Sequence, residues 1–440
     1  MNEELIHPLV PPLKKIAFVT LGCKVNQYET QIIRESFPPQ FYGNAERHEE
    51  ADIFIINTCT VTSRSDQKTR KIIRNLKKSY PNAFIVITGC YAERSAEELE
   101  SMPEVDLVVG NKDKQKIAEK IHGILHGSSP LPCLPKQEDF LHSSISEFHD
   151  HTRAFVKIQE GCESFCSYCI IPYVRGPLKS KPKDIIIQES KNLIAQGTKE
   201  IVLVGIHLGQ YGKEAGQAGL YPLLQDLANL EGDYRLRLTS IEIHEVTPLL
   251  IDFIASHPKM TPHLHIPLQS GEDSVLQRMN RKYTTQDFFN TCEMVRDKIS
   301  YPAITTDVIV GFPGETQEQF EKTAKFCEKI GFSRMHIFPY ADREGTVASQ
   351  MGDKVSEEAK KRRVEMLTQI AQKSQTKYLE GFLGKTIRVL VEQQEKDRIF
   401  SGLDEHYVRV QFVGSQEQIG HFVSVKILET EKDYLKGILE

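Results

Sequence analysis

Three short apolar runs, each closing on a cysteine, set the rhythm of the first part of the chain. KIAFVTLGC ends at Cys23, DIFIINTC at Cys59 and AFIVITGC at Cys90. Stretches with apolar residues at helical spacing follow them: NQYETQIIRESF, SDQKTRKIIRNLKKSY and KQKIAEKIHGIL. Strand and helix in alternation predict an α/β fold, a parallel sheet covered by helices, over residues 14–126. The pattern lapses over residues 127–152, where GSSPLPCLPKQEDFLHSSISEFHDH is rich in proline, serine and histidine and reads as a linker.

A second alternation occupies residues 153–350. Its strands are AFVKIQ, EIVLVGIHL, YRLRLTSIEI, HLHIPLQ, AITTDVIVGF and RMHIFPY, separated by helical stretches such as PKDIIIQESKNLIAQG and TQEQFEKTAKFCEKI. A complete eight-unit barrel needs about 250 residues. Six βα units in this shorter segment therefore predict an incomplete (β/α)6 barrel. A charged helix over residues 351–380 connects to residues 381–440, where KTIRVLVEQ, HYVRVQFVG and HFVSVKILET alternate apolar and polar positions with period two. That period predicts a small antiparallel β domain.

Composition narrows the setting. No apolar run approaches the roughly 18 residues that span a bilayer, so no membrane partner is expected. The opening MNEELIHPLVPPLKK is acidic at first and broken by prolines, unlike a signal peptide. A cytoplasmic location is the expectation, and there thiols stay reduced. Nine cysteines are an odd number for a disulfide framework. A net charge of −5 excludes a molecule that binds nucleic acid through its charge as a whole, so an RNA surface would have to be local.

The densest chemistry lies in QEGCESFCSYCIIPYVRG, with Cys162, Cys166 and Cys169 in Cys-x₃-Cys-x₂-Cys spacing after a strand. Structural zinc takes four ligands, usually in paired Cys-x-x-Cys steps, and no fourth Cys or His lies within the next twenty residues. Three thiolates on one tight loop suit a [4Fe–4S] cluster with one iron left open. Cys23, Cys59 and Cys90 each follow a parallel strand, and such strand ends face one crevice. Periodicity alone leaves open whether they converge or are unrelated residues of βα turns. Cys292 and Cys327 fall in amphipathic helical patterns and read as core, and Cys133 reads as a linker thiol without a role.

Cys-x₃-Cys-x₂-Cys is the signature of radical S-adenosylmethionine enzymes, and the chain resembles their methylthiotransferase branch along almost its whole length. The resemblance runs through TLGCKVNQYET, INTCTVT, TGCYAE, GCESFCSYCIIPYVRG, HIPLQSGEDSVLQRMNRKYT, TDVIVGFPGET and HIFPYADREGT, and the C-terminal β domain is similar to a TRAM domain. TLGCKVNQYE and FCSYCIIPY resemble the enzymes that act on N6-threonylcarbamoyladenosine. The isopentenyladenosine enzymes tend to carry Gln and Met in place of Lys24 and Val25. Relatives that modify a ribosomal-protein aspartate usually lack the pattern of Phe165 and Tyr173. Ala341 departs from the serine frequent in the family.

The resemblance implies two [4Fe–4S] clusters, one on Cys162, Cys166 and Cys169 and an auxiliary one on Cys23, Cys59 and Cys90. It implies S-adenosylmethionine as cofactor, cleaved to a 5′-deoxyadenosyl radical by an electron from the first cluster, with an external electron donor. The substrate implied is a tRNA anticodon stem-loop carrying N6-threonylcarbamoyladenosine at position 37, methylthiolated at C2. Tyr168 resembles the aromatic that packs by the cofactor's adenine. Gly205, Glu242, Gln269 and Gly311 fall at strand ends, where they would line the cofactor pocket. His207, His244, His263, His265 and His336 fall near the same ends and read as structural. In SRSDQKTRKIIRNLKK, Arg64, Lys68, Arg70, Lys71, Arg74, Lys77 and Lys78 face only Asp66, forming either an RNA-binding surface or a solvated helix face. The rival to the enzyme is a non-catalytic iron–sulfur protein that binds RNA. Isopentenyladenosine or a ribosomal protein are the rival substrates.

Overall fold

The computed structural model describes residues 13–127, 140–148, 152–214, 216 and 219–440. The chain divides into two compact units, Met1–Ile145 and Ser146–Glu440. The first comprises Lys14–Thr20 (β1), Lys24–Glu35 (α1), Tyr42–Asn44 (β2), Ile53–Thr58 (β3), Ser63–Ser79 (α2), Phe84–Gly89 (β4), Cys90–Arg94 (α3), Ala96–Glu100 (α4), Leu107–Val109 (β5) and Ile117–His126 (α5). Its sheet is parallel throughout, in the order β2-β1-β3-β4-β5.

Central β3 is buried at all six positions, because helices cover both faces of the sheet. Phe54, Ile56, Ile85 and Ile87 pack against Ile73 and Leu76 of α2, at roughly 1.5–3 kcal/mol per buried side chain. The Thr62 hydroxyl caps α2 by accepting from Ser65 N at 3.2 Å. Of the linker, only residues 140–148 are described, with a short turn at Phe140–His142; Cys133 lies outside the described residues.

The second unit opens with Arg153–Lys157 (β6). A two-residue ladder of Gln159–Glu160 (β7) and Lys179–Ser180 (β8) then brackets the Cys162–Cys169 loop and Ile171–Arg175 (α6). There follow Lys183–Ala195 (α7), Glu200–Val204 (β9), Leu220–Ala228 (α8), Arg235–Leu238 (β10), Pro248–Ser256 (α9), His263–His265 (β11), Asp273–Arg278 (α10), Thr285–Lys298 (α11), Ala303–Val310 (β12), Gln317–Ile330 (α12) and Arg334–Pro339 (β13). Strands β6, β9 and β10 pair in parallel, as do β11, β12 and β13. Parallel bridges Leu236↔Met260 and Ser240↔His265 join the two trios. Six strands thus run in chain order, and no pairing of β6 with β13 closes the ring among the described residues.

Helix Glu357–Glu380 (α13) packs along β13 and α12 and leads into Thr386–Lys396 (β14), Ile399–Asp404 (β15), Arg409–Val413 (β16), Phe422–Thr430 (β17) and Tyr434–Leu439 (β18). These form a closed barrel in the order β14-β15-β16-β18-β17. Every pairing in it is antiparallel except β16 with β18. Its core of Val389, Val391, Phe400, Val410, Phe412, Val425 and Leu435 also takes in Leu379 from the last turn of the connecting helix and Phe382 just after it. Fully buried Glu200 on β9 binds Arg237 Nε at 3.0 Å and also holds Arg235. Those arginines extend to the carbonyls of Leu403 at 3.0 Å and Asp404 at 3.2 Å. Among the described residues no helix is long and apolar enough to cross a membrane.

Candidate functional site

In the first unit the register brings Cys23, Cys59 and Cys90 to one rim. Thr20 pairs with Asn57, and Thr58 with Gly89, so β1, β3 and β4 end within a few residues of one another. Adjacent strands lie about 4.8 Å apart, which spaces the three exits over roughly 10 Å. Cys23 caps α1, Cys59 stands four residues ahead of α2, and Cys90 is the first residue of α3. The amino ends of α1, α2 and α3, which carry the positive ends of the helix dipoles, therefore lie at this rim.

A set of amides locks the rim. Asn26 Nδ2 donates to Leu21 O at 2.8 Å and Thr58 O at 2.9 Å, tying the exits of β1 and β3 together. Asn57 Nδ2 donates to Asn26 O at 2.9 Å. The Asn111 amide approaches Cys90 Sγ at 4.0 Å. Gly89 has φ +99, and a Cβ there would stand 2.5 Å from the Thr58 backbone nitrogen. Gly22 has φ +115, and a Cβ there would stand 2.7 Å from that of Cys59. Only glycine lets these turns approach so closely.

In the second unit, Cys162, Cys166 and Cys169 share the loop after β7. Phe165 within it adopts φ 44, a left-handed conformation rare outside glycine. The end of α10 and the residues just after it hold that strained turn. Asn280 Nδ2 donates to Phe165 O at 2.9 Å, Ser167 N to Met279 O at 3.0 Å, and the Ser167 hydroxyl to Arg278 O at 2.8 Å.

Two cations flank the sulfurs. Arg281 Nη1 donates to Cys166 Sγ at 3.4 Å and pairs through Nη2 with Glu242. His207 Nδ1 lies 3.7 Å from Cys162 Sγ, and its Nε2 lies 2.9 Å from Glu245 Oε1. Burial pulls the His207 pKa down, but the hydrogen bonds to Cys162 and Glu245 outweigh it and push it up to about 9. Burial raises the Cys162 thiol, yet hydrogen bonds from His207 and Ser164 leave it net lowered. Cys169 is pushed up to about 12 by burial. A bound metal's charge would reverse that preference. Glu242 and Glu245 flank Ile243 and His244 in one short turn, so a single segment after β10 supplies both counter-charges.

A cavity of about 410 Å³ opens beside this loop, lined by Ser164, Cys166, His207, Glu242, Arg281 and Tyr283 among others. Of the residues expected around the cofactor, Glu242 lines it. Tyr168 instead packs against the apolar cluster of Val275, Met279, Phe312 and Tyr340, and burial raises its phenol pKa strongly. Gly205 lies against Gln159, whose Oε1 accepts from His207 N at 2.7 Å. Gln269 holds φ 64 and bridges to Val308. Gly311 donates its N–H to Glu315 at 2.6 Å.

His263 and His265 share the Thr305 hydroxyl at 3.1 and 3.0 Å. Cys292 and Cys327 are fully buried in α11 and α12. Arg281, Asn280 and Glu245 escaped the sequence reading as site residues. Arg281 and Asn280 lie in the segment RMNRKYT, which pointed to a family without indicating what these side chains touch.

Residues 15–110 match the uncharacterized protein family UPF0004, residues 156–327 the radical SAM superfamily and residues 373–439 the TRAM domain. A threonylcarbamoyladenosine tRNA methylthiotransferase of Bacillus subtilis is 39% identical over 430 residues, covering 96% of this chain and 95% of that protein. A tRNA-2-methylthio-N(6)-dimethylallyladenosine synthase of Staphylococcus haemolyticus is 33% identical, covering 95% of this chain and 83% of that protein. The radical S-adenosylmethionine methyltransferase TsrM of Kitasatospora setae shares the fold with a TM-score of 0.52 at 13% identity, over 77% of this chain and 74% of that one.

Proposed function

The chain belongs to the radical S-adenosylmethionine methylthiotransferases, enzymes of tRNA modification, and we propose that its substrate is N6-threonylcarbamoyladenosine beside the anticodon, converted to the 2-methylthio derivative. The observation that carries this choice is full-length identity of 39% to a relative named for that nucleoside, against 33% to one named for the dimethylallyl nucleoside. With such a substrate, the location proposed for the activity is the cytoplasm.

The donor chemistry fits iron–sulfur groups at both cysteine trios. On the Cys162–Cys169 loop, N–H donors from Ser164 and Arg281 point at the sulfurs of Cys162 and Cys166, as suits sulfur ligands of an iron–sulfur group. At Cys23, Cys59 and Cys90, helix amino termini bring partial positive charge to the rim, which suits a negatively charged iron–sulfur group. Each trio would hold one [4Fe–4S] cluster through three thiolates, and we assign one cluster to each. When bound, these groups and S-adenosylmethionine supply the electron, the carbon radical and the methylthio unit that replacement of an unactivated C–H requires.

The chain's own residues position and balance charge. Arg281 holds a fixed positive charge against Cys166, oriented by Glu242 and by the Tyr283 ring, 5.0 Å from its guanidinium carbon. His207 holds a proton between Cys162 and Glu245. Asn280 and Ser167 fix the loop that carries the thiols.

Nucleoside mass spectrometry of tRNA from a deletion strain tests the substrate. Loss of 2-methylthio-N6-threonylcarbamoyladenosine, with its unthiolated precursor retained and the product restored by complementation, is the expected result. Loss of the methylthio isopentenyl nucleoside instead would overturn it.

A further inference from the structure

The seven basic residues of α2 do not share one fate. Arg70 pairs with Glu98 at 2.8 Å and Lys77 with Asp106 at 3.1 Å, both at the edge where α4 and the start of β5 meet the helix. The side chains of Arg64, Lys68, Lys71, Arg74 and Lys78 are exposed and have no hydrogen-bond or ion-pair partner among the described residues. At about 100° per residue these five fall within roughly 120° of the helix circumference. Buried Thr69, Ile73 and Leu76 occupy the opposite side.

The row spans about 21 Å at 1.5 Å per residue, in steps of about 4.5 to 6 Å, close to the separation of successive phosphates along an RNA strand. Its near end, Arg64, is five residues from Cys59 on the rim. Between the cations the exposed residues are Gln67 and Asn75, hydrogen-bonding side chains, with no aromatic or aliphatic group exposed among them. Protein interfaces are depleted of lysine and centred on apolar anchors. Phosphate contacts need cations and amides and no apolar surface.

We propose that this outer face of α2 is a phosphate track, holding about four successive backbone phosphates of the tRNA substrate and leading them toward the Cys23–Cys59–Cys90 rim. The proposal rests on the tRNA reading above and assigns the face that contributes affinity. With no base-stacking group in the row, its contribution is independent of nucleotide sequence.

Fluorescence anisotropy with a labelled anticodon stem-loop RNA and the reconstituted full-length protein, across a salt series, tests it. The variant K68Q/K71Q/R74Q is expected to weaken binding at least about tenfold and to flatten the slope of log affinity against log salt by about 2, at roughly 0.7 for each single-strand phosphate no longer neutralised. K322Q/K325Q on α12 is expected to leave both unchanged. The charge-keeping variant K68R/K71R/R74K is expected to bind like the parent, which separates loss of charge from loss of fold.

Unchanged affinity and slope in the glutamine variant would overturn the track, as would equal loss in the charge-keeping one. A glutamine variant that binds RNA normally but is no longer reduced by an acidic flavoprotein would also overturn it, and would give the face to the electron donor. If the salt slope responds as expected while the parent leaves threonylcarbamoyladenosine unmodified, the track stands and the substrate assignment falls.

Discussion

The guanidinium of Arg281 donates a hydrogen bond to the sulfur of Cys166 at 3.4 Å while its other arm is held by Glu242. A fixed cation and an N–H···S bond both stabilise the more negative, reduced state of a thiolate-bound cluster. Replacing Arg281 by Met is therefore expected to lower the reduction potential of the cluster we assign to this loop by about 60 mV or more, a tenfold change for a one-electron couple. Arg281→Lys should recover part of the shift. A potentiometric titration followed by electron paramagnetic resonance checks both.

The two cysteine trios should separate genetically. Cys166→Ala is expected to abolish all cleavage of S-adenosylmethionine. Cys59→Ala should keep part of that cleavage and lose methylthiolation. Chromatography of 5′-deoxyadenosine and mass spectrometry of the RNA nucleosides read the two activities independently, and equal loss of both in both variants would contradict two separate centres.

Gly89 combines φ +99 with a backbone neighbour 2.5 Å from where a Cβ would sit. Gly89→Ala should lower stability by about 1–3 kcal/mol, the usual size of such backbone strain. It should also deplete iron from the first unit while sparing the Cys162–Cys169 loop. Thermal melting and the iron content of a C162A/C166A/C169A background report the two effects.

Glu200 is fully buried between arginines. Burial alone would raise its pKa, but Arg235 and Arg237 more than offset that and hold it well below the usual carboxylate range. The stabilisation is therefore complete above the unfolded carboxylate pKa of about 4.5 and is lost as pH falls toward the folded value. Glu200→Gln is expected to cost about 3–5 kcal/mol at neutral pH, because it leaves buried cations unpaired. It should also flatten the acid limb of the stability curve in denaturant titrations.

Strands with continuous or alternating apolar runs were legible in the sequence: β3, β4, β9 and β12 lie within the expected segments. The three-residue strands β2 and β5 were not, being too short to show a period. Nor were β15 and β18, where Ser401, Gly402 and Gly437 break the alternation while the barrel accepts small residues at close crossings.

The same limit applied at the sites. Spacing pointed to the Cys162 loop, because three ligands on eight residues are a local signal. What holds that loop is not local: Asn280 and Arg281 arrive from more than a hundred residues away, and only folding sets them against it. Glu242 was marked as a cofactor contact by its strand-end position, and its immediate partner in the structure is Arg281. The seven cations of α2 left the choice between an RNA surface and solvated helix open, and neighbouring acids divide them.

Arg235 and Arg237 donate from the central sheet to carbonyls at the end of β15. The terminal barrel is therefore part of the acceptor set for charges buried beneath it. Truncating the chain after α13 would strand those guanidinium groups beside Glu200 and expose Leu379, an apolar residue that now sits in the barrel's core. A shortened protein that no longer modifies RNA would thus report a damaged catalytic half as readily as a missing grip on its substrate, and point changes on the barrel's outer surface are the sounder instrument for dissecting it.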